Sequence, residues 1–212
     1  MKKIVILISG RGSNMQALLS AKLPCQISAV ISNRADAQGL EIAGQHGIAT
    51  RVVSHRDFAD RALFDVALAE AIDVYQPDFV VLAGFMRILT EEFVNHYRGR
   101  LVNIHPSLLP AYAGMNTHER ALQDGVKIHG CTVHFVTPDL DHGPVIIQAA
   151  VPALYKDTVQ SLSARVLKQE HIIYPQAIRW LCEGKVSLNA TGRTVSDCAE
   201  VESAALVAPT QE

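Results

Sequence analysis

The 212-residue chain is 49% hydrophobic and 19% charged, which excludes a disordered polypeptide and fits one domain with a sizeable core. A formal net charge of −2, with no Lys/Arg cluster, argues against a partner recognised mainly through nucleic-acid phosphates. Its four scattered cysteines form no C-x-x-C pair, so neither a disulfide framework nor a zinc site is indicated, and a reducing, cytoplasmic setting fits.

Lys3 to Ser9 is a continuous, largely β-branched run, the mark of a strand buried on both faces. It is too short for the core of a signal peptide and leads into a glycine loop, not a cleavage site. That loop is Ser9-Gly10-Arg11-Gly12-Ser13-Asn14, and Met15 to Ala21 then has helical composition. A strand, a glycine-rich turn and a helix start leave backbone N–H groups and a helix dipole aimed at the turn, which makes an anion site. Met15 stands where the dinucleotide fingerprint wants Gly or Ala, and the Gly-Lys-Ser/Thr of a Walker A loop is absent. A single phosphate therefore fits better than a pyrophosphate. The loop also reads as a tight turn with Ser13 or Asn14 capping the helix.

Ile27 to Ser32 is a second strand. Asp36 lies where dinucleotide enzymes carry a ribose-binding acid, but without the fingerprint it reads as a helix cap. Leu40 to His46 is a helix stopped by Gly47, Thr50 to Val53 a third strand, and Asp57 to Tyr75 an amphipathic helix closed by Pro77. Asp78 to Ala83 is a fourth buried strand. The apolar loop Gly84 to Leu89 follows, with one arginine, and is either the wall of a flat-ring pocket or a loop folded on the core. Thr90 reads as an N-cap before Glu91 and Glu92.

Leu101 to His105 alternates in strand fashion, so Asn103 and His105 share a face. Pro106 stops the strand, which puts His105 at a carboxyl end, where open α/β sheets bind ligands. An amide donor beside an imidazole suits a developing oxyanion and a moving proton; a capped strand end is the plainer alternative. Strand alternating with helix up to this point predicts a parallel, doubly wound half. Beyond Pro110 come a loop, a short helix Glu119 to Gln123, and strands His129 to Val136 and Val145 to Val151, whose short connection makes them antiparallel. Asp157 to Leu181 is a long amphipathic helix stopped by Gly184, and Val186 to Leu188 a last strand. From Asn189 onward no periodicity remains, so the domain is placed at 1–188 and a flexible tail at 189–212. His129 and His134 point to opposite faces of their strand and no helix carries two histidines at i, i+4, so no metal site is assigned.

Asp139 and Asp141 lie in a loop bounded by Pro and Gly, by default a solvated turn. Brought beside His105, a carboxylate would stabilise the imidazolium and accept a proton through water. With Asn103, that set suits attack of an amine on a carbonyl. No G-x-S-x-G elbow is present, which favours direct transfer without a covalent enzyme intermediate.

The Ser9–Asn14 loop, Ala83-Gly84-Phe85-Met86-Arg87-Ile88-Leu89, Asn103-Ile104-His105-Pro106-Ser107-Leu108-Leu109-Pro110 and Asp139-Leu140-Asp141-His142-Gly143-Pro144 occur in this order. In this the chain, from about Lys3 to about Gly184, resembles the phosphoribosylglycinamide formyltransferases, folate-dependent enzymes of purine synthesis. The resemblance implies an α/β fold in which a Rossmann-like, mostly parallel N-terminal half continues into an antiparallel C-terminal half within one sheet. It implies formyl transfer from 10-formyltetrahydrofolate, as cosubstrate, to the amine of glycinamide ribonucleotide. Asn103, His105 and Asp141 would be catalytic. Gly12, Ser13 and Asn14 would hold the substrate phosphate, with Lys168, Gln169 and Glu170 toward the rest of that substrate. Arg61, Met86, Arg87, Ile88, Leu89, Asn103, Thr137, Pro138, Asp139, Leu140 and Asp141 would hold the folate.

The sequence departs from the family pattern at His142, in place of a glycine, and at Asn116, in place of a histidine. Ala113 also replaces the customary proline before Gly114. Formylation of an initiator tRNA would want a basic C-terminal extension, and formylfolate hydrolysis an added N-terminal domain. A non-catalytic nucleotide-binding module would leave Asn103, His105 and Asp141 together without a reason. Monomer and homodimer are both left open.

Overall fold

Ile4 to Ile8 are all fully buried because β1 (Lys2–Ile8) has a strand on each side and a helical layer on each face. The computed structural model describes residues 1–198 and 208. Its main sheet has seven strands in the order β3-β2-β1-β4-β5-β6-β7. β2 (Cys25–Ser32), β3 (Ala49–Val52), β4 (Phe79–Leu82) and β5 (Leu101–His105) run parallel with β1. β6 (Ile128–Phe135) and β7 (Val145–Pro152) continue the sheet antiparallel. The expected joining of a parallel half to an antiparallel half in one sheet is what the fold contains.

Even-numbered positions of β1 and β5 (Ile4, Ile6, Ile8, Val102, Ile104) share one core with α1 (Ser13–Ser20) and α6 (Val159–Cys182). Odd-numbered positions (Val5, Leu7, Leu101) pack with Phe64, Leu68 and Ile72 of α3 (Arg61–Asp73) and Phe93 of α4 (Glu91–His96). This period-2 division is what a strand covered on both sides requires. α6 is pinned from within: the buried Tyr174 hydroxyl donates to the carbonyls of Leu82 (2.9 Å) and Val102 (3.3 Å), near the ends of β4 and β5. Chain order reverses between β1 and β4, and at such a switch point the loops diverge to leave a crevice. Ser9 N–H spans it by donating to the Gly84 carbonyl at 3.1 Å.

Four local expectations are corrected. Asp57 belongs to a 3₁₀ turn, His55–Asp57, and α3 begins only at Arg61, because the Asp60 carboxylate accepts the Leu63 N–H at 2.9 Å. Asp36 caps nothing: it pairs with the Arg34 guanidinium at 2.6 Å on the surface, and Ala37 precedes α2 (Gln38–Gln45). Neither Ser13 nor Asn14 is the N-cap of α1; Gly12 is, at φ 76, a left-handed conformation open to glycine. The tail expected from Asn189 instead turns back at once. β8 (Val186–Leu188) pairs antiparallel with β9 (Thr194–Ser196), and the Asn189 side chain accepts from the N–H groups of Thr191 and Arg193 in the turn. The rest of that tail, 199–207 and 209–212, lies outside the described residues. No helix among the described residues is long and apolar enough to cross a membrane.

Candidate active site

A cavity of about 800 Å³ opens at the carboxyl ends of β4 and β5. Its floor includes Leu82, Asn103, Ile104 and His105, its walls the 84–89 loop and the 137–141 loop, and its far rim Asn14 and Glu170. Two loops from distant parts of the chain thus face each other across the end of β5.

His105 is 7% exposed, and each ring nitrogen has a close oxygen neighbour. Nδ1 lies 3.3 Å from Asp141 Oδ2, and Nε2 lies 3.0 Å from the Tyr112 carbonyl oxygen. The Tyr112 carbonyl can only accept, so Nε2 is the donor there, while Nδ1 stands in close electrostatic contact with the Asp141 carboxylate. Asp141 is held in turn by the Gly114 N–H, which donates to Oδ2 at 2.9 Å. Its backbone has φ 51, in the left-handed region that Asp tolerates better than most residues. Gly143, close behind it, has no room for a side chain, since a Cβ there would overlap the Phe135 carbonyl oxygen.

Asn103 is oriented by a residue absent from the expected set. Its Nδ2 lies 3.3 Å from His134 Nε2, directly across the β5–β6 pair. His134 Nδ1 donates to the Phe135 carbonyl at 2.9 Å, which leaves Nε2 to accept from the amide. Burial holds the His134 imidazole below the usual histidine range, in keeping with that neutral form. The second Nδ2 hydrogen of Asn103 is left for the cavity. The β6 alternation put His134 opposite the face of His129, but only the register of β5 against β6 tells which residue it meets.

Across the cavity Asn14 Nδ2 donates to Glu170 Oε2 at 2.7 Å, joining α1 to α6. Burial raises the Glu170 carboxyl above its ordinary range, against the opposing effect of that hydrogen bond. Asn14 Oδ1 is buried and has no partner among the described residues. An acceptor and a carboxylate so placed suit a ligand bearing amine or hydroxyl donors. Next to Glu170, His171 Nε2 is also buried without a partner there.

Met86, Arg87, Ile88, Leu89, Thr137, Pro138, Leu140 and Asp141 all line the cavity, as do Asn103, His105, Asn14 and Glu170. Gly12, Ser13, Arg61, Asp139, Lys168 and Gln169 do not; Lys168, Asp139 and Arg61 are exposed. The 84–89 loop fits both readings, since Phe85 is buried in the core with Leu89 packed against it while Met86, Arg87 and Ile88 line the cavity, and its far end is anchored by Thr90 N–H donating to the buried Asp65 at 2.6 Å. Met115, Thr117, His118 and Glu119 also line the cavity, from α5 (Thr117–Gln123) and the loop before it, and sequence reading had not marked them. His142 is not among the residues at positive φ, so the family's glycine is not required by the backbone there. Asn116 is, at φ 57, a conformation asparagine accepts. Among the described residues no group of three or more His, Cys, Asp or Glu is placed to hold a metal ion.

The pattern of strands and loops around this cavity has close counterparts. Over 190 residues the chain is 53% identical to the phosphoribosylglycinamide formyltransferase of Escherichia coli K12, covering 88% of this chain and 90% of that protein. The solved phosphoribosylglycinamide formyltransferase of Coxiella burnetii superposes with a TM-score of 0.89 at 49% identity, over 92% of this chain and 93% of that one. The glycinamide ribonucleotide transformylase 1 of Symbiobacterium toebii gives 0.89 at 45% identity, over 92% and 94%. The formyl transferase family profile matches residues 2–178, which takes in β1 through nearly all of α6 and every residue lining the cavity. The chain therefore belongs to the formyl transferase family.

Proposed function

We propose that the protein transfers the formyl group of 10-formyltetrahydrofolate to the amine of glycinamide ribonucleotide, the step of purine biosynthesis for which its relatives are named. The observation that carries this reading is the convergence of Asn103, His105 and Asp141 at one end of a cavity whose other end holds Asn14 and Glu170. One end offers donors for a carbonyl oxygen, the other acceptors for an amine-bearing partner.

In this reading the folate ring lies between Met86–Leu89 and Thr137–Asp141, and the Gly12–Asn14 end of the glycine turn takes the phosphate at the start of α1. Of the phosphate residues only Asn14 reaches the cavity itself; Gly12 and Ser13 would act through backbone N–H groups at its edge. Asn103 and His105 donate to the carbonyl oxygen as it becomes negative. The Tyr112 carbonyl now occupies His105 Nε2, and the incoming oxygen takes over that donor. Asp141, beside the ring, receives a proton from the attacking amine, directly or through water. No serine or cysteine nucleophile takes part. The four cysteines are free thiols, in keeping with a cytoplasmic setting.

The test mixes purified protein with 10-formyltetrahydrofolate and glycinamide ribonucleotide and follows release of the deformylated folate. Release that requires the amine and yields formylated product supports the reading. Release without any amine acceptor would make the protein a hydrolase, and no release at all would remove formyl transfer.

A further inference from the structure

We propose that Ser9 is a positioning residue that braces the folate-side wall of the cavity from the root of the phosphate turn. The proposal rests on the functional reading above and extends it to a side chain that lines neither end of the cavity. Ser9 follows β1 directly, at the switch point, and is 5% exposed. Its hydroxyl accepts the Met86 N–H at 2.8 Å and donates to Asn33 Oδ1 at 2.6 Å. Its own N–H donates to the Gly84 carbonyl at 3.1 Å. Asn33, 3% exposed at the end of β2, is tied to His55 Nδ1 at 3.1 Å. Ser9 therefore grips the 84–89 loop at two points while standing one residue before the turn Gly10–Asn14. Its hydroxyl both donates and accepts, and both partners are internal.

Removing the hydroxyl leaves the Met86 N–H and Asn33 Oδ1 unpaired beneath a loop whose outer residues Met86 and Ile88 are 62% and 55% exposed. The phosphate turn keeps a separate tether, since Gly39 N–H donates to the Gly10 carbonyl at 3.1 Å. The loss should therefore fall on one substrate. Ser9→Ala should raise KM for 10-formyltetrahydrofolate roughly tenfold, the worth of one or two buried hydrogen bonds. KM for glycinamide ribonucleotide should stay within about threefold, the margin set by that intact tether. Hydrogen exchange at the Met86 amide should quicken while the β4 amides keep their protection, a local signature that general destabilisation does not give.

Equal KM changes for the two substrates, or an unchanged folate KM with Met86 still protected, would overturn the proposal. Should Ser9→Ala fail to fold, Asn33→Ala removes the acceptor, leaves the hydroxyl in place, and is judged by the same two readings. Wild-type protein without formyl transfer would refute the functional reading; an active wild type with an indifferent Ser9 refutes this inference alone.

Discussion

His105 and Asp141, brought together from the end of β5 and the loop before β7, meet with 3.3 Å between Nδ1 and Oδ2. Both side chains are about nine-tenths buried, so water screens the contact little. If this pair moves the proton, His105→Ala and Asp141→Asn should each lower kcat by about 10² to 10⁴-fold, the usual span of general acid–base catalysis. KM for either substrate should change far less than kcat. Steady-state kinetics with both substrates varied provides the check, and full turnover in either variant would exclude the pair from the chemistry.

Asn103 and His134 make a second, graded comparison. Asn103→Ala removes a donor aimed at the developing oxyanion and should cost about 10² to 10³-fold in kcat. His134→Phe leaves the amide in place but takes away the acceptor that orients it. Its loss should be intermediate, about tenfold, as expected for a support and not for the donor itself. Combining the two substitutions should add little to Asn103→Ala alone. Additive losses would mean that His134 acts elsewhere.

Gly39 tests the phosphate turn from behind. A Cβ at this position would sit 2.5 Å from Ile8 Cδ1 and 3.3 Å from both the Gly10 carbonyl oxygen and Gly12 Cα. Ile8 can turn away, but the glycine backbone opposite cannot. Gly39→Ala should raise KM for glycinamide ribonucleotide several-fold while the folate KM stays near its wild-type value. A fully normal KM for the phosphorylated substrate would place its phosphate somewhere other than this turn.

His129 predicts an acid-sensitive fold. Burial, with His118 beside it at 3.2 Å, lowers its imidazole from 6.5 to about 4. Above pH 6.5 the ring is neutral both folded and unfolded, and nothing is lost. As pH falls from 6.5 toward 4 the unfolded chain binds a proton that the folded chain resists, so stability declines across that window. The loss reaches up to roughly 3 kcal/mol at its acid end, at about 1.4 kcal/mol per unit. Urea midpoints measured across this range should fall steeply for wild type and more gently for His129→Gln. Parallel slopes would show that other groups set the acid response.

Most of the scaffold could be read from residue patterns. The β-branched run Lys3–Ser9, the alternation at Leu101–His105 and the short link before Val145 each state a local preference that the fold keeps. What could not be read was of two kinds. The β8 strand was expected but its partner β9 was not, because the pairing depends on Asn189 folding the chain back and Thr194–Ser196 lies in a stretch with no periodicity to mark it. The partnership of Asn103 with His134 depends on the register between two strands, a tertiary quantity that neither strand states alone. Asp36 misled because a guanidinium two residues away competes for it better than a helix start does.

The left-handed backbone of Asp141 governs which replacements at that site can be interpreted. Asparagine shares aspartate's tolerance of this conformation, so that exchange alters charge and little else. Glutamate would restore the charge on a side chain one carbon longer and less at ease with such a main chain, changing reach and geometry together. Alanine adds a strained turn to the missing acid. Acidity and shape are thus selected jointly at one residue, and a library that varied this position for charge alone would misjudge both.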